Sequence, residues 1–228
     1  MKNIFIIPGY GVPKDILTDE PYSRYLGLVF NYIYQICLNK NENKPVIIFC
    51  GGNTDIFKPY KRTESAEMKK LFLSLAQRDF VKKYTKFWQY KIENKSLSTL
   101  ENILFANKII KNIKIDKNIF IFVEQTRILK IKTFAKKIIK NKFQIIPLDF
   151  DLSINRYRDP KFIQQKELAD LKISLRVLAD KKNYKYYRKI LKDKITYFRQ
   201  MGPTQHREAI NNWWQEKLKE MEKKGYFS

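Results

Sequence analysis

At 228 residues, with 44% hydrophobic and 30% charged positions, the chain can bury a sizeable core as one domain or as one domain with an appendage. Its net charge of +23 is carried mainly by lysines spread along the whole length, a pattern that solvates outer helix faces and attracts anions generally rather than marking one nucleic-acid patch. The longest apolar runs, residues 4–8 and 119–123, fall far short of the ~20 residues that cross a bilayer, which excludes a membrane span.

Met1-Lys2-Asn3 and the short run after it lack a signal-peptide core, so a cytoplasmic protein is expected. Cys37 falls in an apolar helical pattern and Cys50 at the end of an apolar strand. Both positions suit buried thiols in a reducing compartment better than a disulfide framework or a metal site.

In chain order, residues 3–8 read as a short strand ending at Pro8-Gly9-Tyr10-Gly11, where glycine permits close backbone approach to a ligand. The loop lacks the dinucleotide fingerprint, so no nicotinamide cofactor is expected. Tyr22, Tyr25, Leu26, Val29, Phe30, Ile33, Ile36 and Cys37 trace one helical face. Pro45-Val46-Ile47-Ile48-Phe49-Cys50 has the continuous apolar character of a central parallel strand and stops at Gly51-Gly52-Asn53. Thr63 is positioned to cap a helix that opens with Glu64 and Glu67, where the dipole favours acids, and continues through Leu71, Phe72, Leu75 and Phe80.

Residues 87–92 form an aromatic-rich alternating strand, followed by Glu93-Asn94-Lys95-Ser96-Leu97-Ser98-Thr99-Leu100-Glu101-Asn102 and a helical pattern. Ser98-x-x-Glu101 is a capping box, which explains two of these polar groups and leaves Glu93, Ser96, Thr99 and Asn102 without a capping role. A decorated cap and a ligand site both remain open. Residues 118–123 and 143–148 read as two further strands, separated by Glu124-Gln125-Thr126-Arg127 and a helix with Ile131, Phe134, Ala135 and Ile138 inward.

From Pro160 the pattern is helical alone. Leu168, Leu171, Leu175 and Leu178 form one stripe, and Tyr187, Ile190, Leu191, Ile195 and Phe198 another. A last helix, capped at Thr204, carries Trp213 and Trp214, and the sole histidine, His206, is expected at the surface.

Four stretches in this order resemble the bacterial YdcF/ElyC/SanA-type family: Pro8-Gly9-Tyr10-Gly11, Gly51-Gly52, Thr63-Glu64 to Met68, and Glu93 to Asn102, the last being the most specific. The resemblance covers residues 4–148. Where that family commonly follows its fourth strand with a Ser/Thr turn and a His-x-x-Arg pair, this chain reads Val123-Glu124-Gln125-Thr126-Arg127-Ile128-Leu129-Lys130, without the histidine. The resemblance implies a Rossmann-like fold, a polar pocket at the strand ends, links to envelope metabolism, and S-adenosylmethionine as a possible cofactor.

The alternation of strands and helices predicts an α/β protein: a three-layer Rossmann-like, mainly parallel sheet of about five strands over residues 1–151, then a helical extension over 152–228 packed on it. The expected site lies at the strand carboxyl ends, where helix N-termini converge. Glu64, Glu93, Glu101 and Arg127 are its candidate catalytic groups, with Lys130 as a further cation. Gly9, Tyr10, Gly11, Gly51, Gly52, Asn53, Ser96, Ser98, Thr99, Asn102, Gln125, Thr126 and Lys130 are its candidate binding groups. The expected ligand is a small anionic or nucleotide-like molecule, transformed by a transferase or hydrolase reaction if the site is catalytic. The alternative is a basic nucleic-acid-binding protein.

Overall fold

The structure, a computed structural model, describes residues 2–39, 44–149 and 160–223, without the side chains of 181, 182, 221 and 222. It divides into two compact units, Met1–Asp55 with Tyr60–Phe150, and Ile56–Pro59 with Asp151–Ser228. The boundary expected at 151/152 falls outside the described residues.

The first unit is built on β1 (Lys2–Pro8), β2 (Val46–Cys50), β3 (Gln89–Glu93), β4 (Lys117–Glu124) and β5 (Phe143–Leu148). All neighbours pair in parallel in the order β3-β2-β1-β4-β5. β1 and β2 are buried along nearly their whole length because helices cover both faces of the sheet, which is why they read as unbroken apolar runs.

Alternate side chains divide the sheet into two cores. Phe5, Ile7, Ile47, Phe49, Phe120 and Phe122 face α1 (Glu20–Asn39), α2 (Glu64–Ala76) and α3 (Asp79–Thr85). Ile4, Ile6, Val46, Ile48, Ile119 and Ile121 point to the opposite face, where α4 (Thr99–Lys111) crosses β1, β2 and β3 and α5 (Ile128–Ile138) lies along β4 and β5. The result is a three-layer, doubly wound α/β unit. Its chain reverses winding direction between β1 and β4, so the carboxyl ends of these two strands frame the topological switch point.

The second unit packs α6 (Pro160–Ala179), α7 (Lys181–Met201) and α8 (His206–Lys223) against one another. Ile56 belongs to its core, together with Ala169, Phe198, Ala209, Ile210 and Trp214.

Several local expectations change. The α2 helix stops at Ala76, and Phe80 lies on the separate α3 with 71% exposure, because Gln77 and Arg78 break the helix before α3 restarts with a different face inward. Leu168 is 42% exposed, whereas the buried face of α6 runs through Ile163, Glu167, Leu171, Ser174 and Val177; the polar members of that face hid its period. Thr204 lies in the turn before α8, which begins at His206. His206 is buried, since the turn folds its ring edge-on against Phe198 with centroids 5.2 Å apart.

The ring of Phe72 is fully buried and lies within 5.3 to 6.3 Å of Phe30, Phe49, Trp88 and Tyr90. Phe72→Ala is expected to lower stability by about 3–5 kcal/mol in urea unfolding, because the surrounding rings cannot collapse fully into the vacated space.

Candidate functional site

Gly9 follows β1 and Gly51 follows β2, and both lie against one side chain. A Cβ at Gly9 would overlap the Glu64 carboxylate and come within 2.7 Å of Glu64 Cβ. At Gly51, where φ is +149°, a Cβ would stand 2.5 Å from Glu64 Cβ and 2.6 Å from its Oε2. Glycine is therefore required at both strand ends for Glu64 to occupy its place. The Glu64 carboxylate is buried there, and its Oε1 accepts a 2.5 Å hydrogen bond from the Thr54 hydroxyl.

The α2 N-terminus that carries Glu64 is built from the second glycine loop. The amides of Glu64 and Ser65 donate to the carbonyls of Gly52 and Gly51 at 3.0 Å each, and the Ala66 amide donates to the Thr63 hydroxyl at 3.3 Å. These amides were expected to point at a ligand; the fold itself uses them. Asn53 donates to the Tyr60 carbonyl at 2.7 Å, and Asp55 takes a forked contact from Arg62, whose guanidinium also donates to the carbonyls of Pro13 and Lys14 at 2.9 Å. Arg62 is thus the clip that ties this loop to the chain before α1.

Gly52 touches the third strand end, its amide donating to the Ser96 carbonyl at 2.7 Å. There Glu93 is buried. One of its oxygens accepts from the amides of Lys95 and Ser96 at 2.7 and 3.0 Å, and the other meets the Ser96 hydroxyl at 2.5 Å. The same hydroxyl meets Asn102 Oδ1 at 2.5 Å. One hydroxyl hydrogen cannot serve two acceptors, so the second contact takes its proton from Glu93 or from an Asn102 amide turned to present Nδ2. Burial pushes the Glu93 carboxyl up, against the opposing effect of its hydrogen bonds. Burial, reinforced by the Glu93 charge, also pushes the Cys50 thiol well up, so it is no nucleophile at neutral pH.

Ser98 and Glu101 both bind backbone amides at the start of α4. The Ser98 hydroxyl accepts from the Glu101 amide at 3.3 Å, and the fully buried Glu101 carboxylate reaches back to the Leu97 amide at 2.7 Å, one residue earlier than a standard capping box. Thr99 is buried in the first turn of the same helix.

At the switch point the Tyr10 hydroxyl accepts from the Glu124 amide at 2.9 Å, joining the loop after β1 to the end of β4. The Tyr10 amide donates to the Tyr22 hydroxyl, which in turn donates to the Gly11 carbonyl at 2.5 Å, and Tyr25 donates to the Pro8 carbonyl at 2.9 Å. The Arg127 guanidinium lies over the Tyr10 ring, 4.5 Å from its centroid. Glu124 binds the amide and hydroxyl of Thr126, shaping the 3-10 turn Gln125–Arg127; Gln125 and Thr126 are exposed, and Lys130 is buried in α5.

The site residues therefore fall into two linked groups, Gly9/Gly51/Glu64/Thr54 and Tyr10/Glu124/Arg127, with the Glu93/Ser96/Asn102 network adjoining the first through Gly52. Thr54, Asp55, Arg62 and the tyrosines of α1 are contributors that the sequence reading did not single out as site residues. No group of three or more metal-ligating side chains occurs among the described residues, and no helix of the described residues is long and apolar enough to cross a membrane. A separate cavity of about 290 Å³ lies within the helical unit, where Trp213, Trp214, Tyr186 and Tyr187 contribute to its wall. Comparison with family models, curated proteins and solved structures gives no match for this chain.

Two outcomes follow from this geometry. Gly9→Ala should cost about 1–3 kcal/mol by overpacking. Placed on a Glu64→Gly background it should cost much less, a coupling that a double-mutant cycle in urea reads directly. A carboxyl raised in the fold contributes stability that is complete below its ordinary value of 4.5 and lost as pH rises through the folded value. Glu93→Gln, whose amide can donate to Ser96 while its oxygen keeps the two backbone contacts, should therefore gain stability relative to the parent as pH rises from 4 toward 8; equal differences across that range would contradict the raised Glu93.

Proposed function

We propose that the carboxyl edge of the sheet binds a small anionic or nucleotide-like molecule that carries a hydroxyl or ammonium group close to its anionic group. The observation that carries this reading is the placement of Arg127 on the Tyr10 ring at the switch point, with the buried Glu64 carboxylate against the adjacent Gly9. A guanidinium recognises phosphate or carboxylate, and a carboxylate accepts from a sugar hydroxyl or an amine. S-adenosylmethionine and phosphorylated envelope precursors, the ligand classes implied by resemblance to the YdcF/ElyC/SanA-type family, both combine such groups.

Transfer or hydrolysis at this edge would draw its base from Glu64 and its charge stabilisation from Arg127. Glu93 is the less accessible second carboxyl, and the chain's one histidine lies on α8 rather than at the end of β4. Glu64, Glu93, Glu101 and Glu124 together disfavour a polyanion track here, so the nucleic-acid alternative gains nothing from this edge. Two buried free thiols fit a cytoplasmic setting.

The test is a thermal-shift and calorimetric comparison of S-adenosylmethionine, nucleotides, sugar nucleotides and prenyl phosphates. A ligand should be found whose affinity falls at least about tenfold in Arg127→Ala and in Glu64→Gln, with Trp213→Ala unchanged. Loss in Trp213→Ala alone would move the ligand to the helical cavity and overturn the proposal.

A further inference from the structure

The segment Arg78-Asp79-Phe80-Val81-Lys82-Lys83-Tyr84-Thr85-Lys86-Phe87-Trp88 sorts its side chains into three stripes. Val81, Thr85 and Trp88 are buried, and the Thr85 hydroxyl anchors the segment by donating to the Ala76 carbonyl at 2.7 Å. With that stripe inward, helical geometry turns Phe80 and Tyr84 to one flank and Lys82 and Lys83 to the other. Phe87 continues the aromatic flank just past the helix. Phe80 is 71% exposed and Phe87 48%, and Lys82, Lys83 and Lys86 are exposed.

The two flanks meet. The Lys83 ammonium lies 4.8 Å from the Tyr84 ring centroid, and those of Lys86 and Lys44 lie 4.7 and 6.0 Å from the Phe87 centroid. Asp79 is the one acid in the segment. Lys44 lies two residues before β2 and Phe87 two residues before β3, so this surface sits at the amino ends of the strands, on the edge of the unit opposite the Arg127 and Glu64 groups.

Exposed phenylalanines beside a row of cations call for a partner that takes apolar rings and negative charge on one plane. An anionic lipid surface does so: rings enter at the headgroup level while flexible lysine stems reach lipid phosphates. Single-stranded nucleic acid fits less well, because base stacking needs open ring faces, and the faces of Tyr84 and Phe87 already carry lysine ammonium groups. We propose that α3 and the residues leading into β3 form a peripheral docking surface for anionic lipid headgroups, which leaves the opposite, carboxyl edge of the sheet facing away from the lipid.

The experiment is sedimentation of the full chain with vesicles of phosphatidylcholine alone or with about one-third phosphatidylglycerol. Binding should require phosphatidylglycerol. It should fall at least about fivefold in Phe80→Ala/Phe87→Ala and again in Lys83→Glu/Lys86→Glu, but less than about twofold in Lys136→Glu/Lys137→Glu, which makes the same charge change on exposed positions of α5. Circular dichroism confirms that each variant is folded, and Phe80→Ala alone serves if the double change unfolds the chain. Equal loss in the α5 control would reduce the binding to overall charge and overturn the proposal. So would vesicle binding indifferent to the aromatic changes, or an oligothymidylate whose binding falls with those changes while vesicle binding stays intact.

Discussion

Everything at the carboxyl edge depends on the absence of two Cβ atoms. With side chains at Gly9 and Gly51, Glu64 could not enter between the ends of β1 and β2. The α2 helix could not then start where its first amides find the Gly51 and Gly52 carbonyls. The glycines thus place a helix as well as a carboxylate, and the third glycine, Gly52, carries the arrangement on to the Ser96 loop. A buried carboxylate carries a desolvation cost that a plain helix start avoids, which is why Glu64 counts as more than a residue favoured by the dipole.

The tyrosines act as the second organising set. Tyr10, Tyr22 and Tyr25 use their hydroxyls on backbone groups of the first loop and of β4, and Tyr10 meets Tyr25 edge-on at 5.0 Å. This makes the loop after β1 a rigid shelf and leaves the Tyr10 ring face as the seat of Arg127. Rotamer freedom of the guanidinium is thereby limited before any ligand arrives, a condition that favours binding.

The central strands β1, β2 and β4 were legible as compact apolar runs and β5 agrees with its expected bounds to the residue, whereas the edge strand β3, expected over 87–92, runs over Gln89–Glu93 because its mostly exposed residues carry only a weak alternation. The boundary of α2 was less legible, since Phe80 continues the apolar rhythm while its environment is solvent. Within the site, residue types and neighbourhood were readable from the glycine pairs and the polar stretch after β3, but the division of labour was not. Spacing from Ser98 marked Glu101 as a helix-start residue, but no local pattern told that Glu93 would turn back onto the Lys95 and Ser96 amides and join Ser96 and Asn102 in one network. Asp55 and Arg62 lay in an unremarkable polar loop, because a contact with the chain before α1 spans 48 and 49 residues and leaves no local periodicity.

The four residues Ile56–Pro59 give the protein an unusual connectivity. They belong to the helical unit although the chain on either side of them belongs to the sheet, and Asp55 and Arg62 clasp the two sides of this excursion. The helical unit is therefore discontinuous in sequence. During synthesis the core of its three helices is completed by a segment made about a hundred positions before them. Cutting the chain between the sheet and the helices would not yield two whole modules: the C-terminal piece would lack Ile56, and the N-terminal piece would keep a hydrophobic loop whose own unit had been removed.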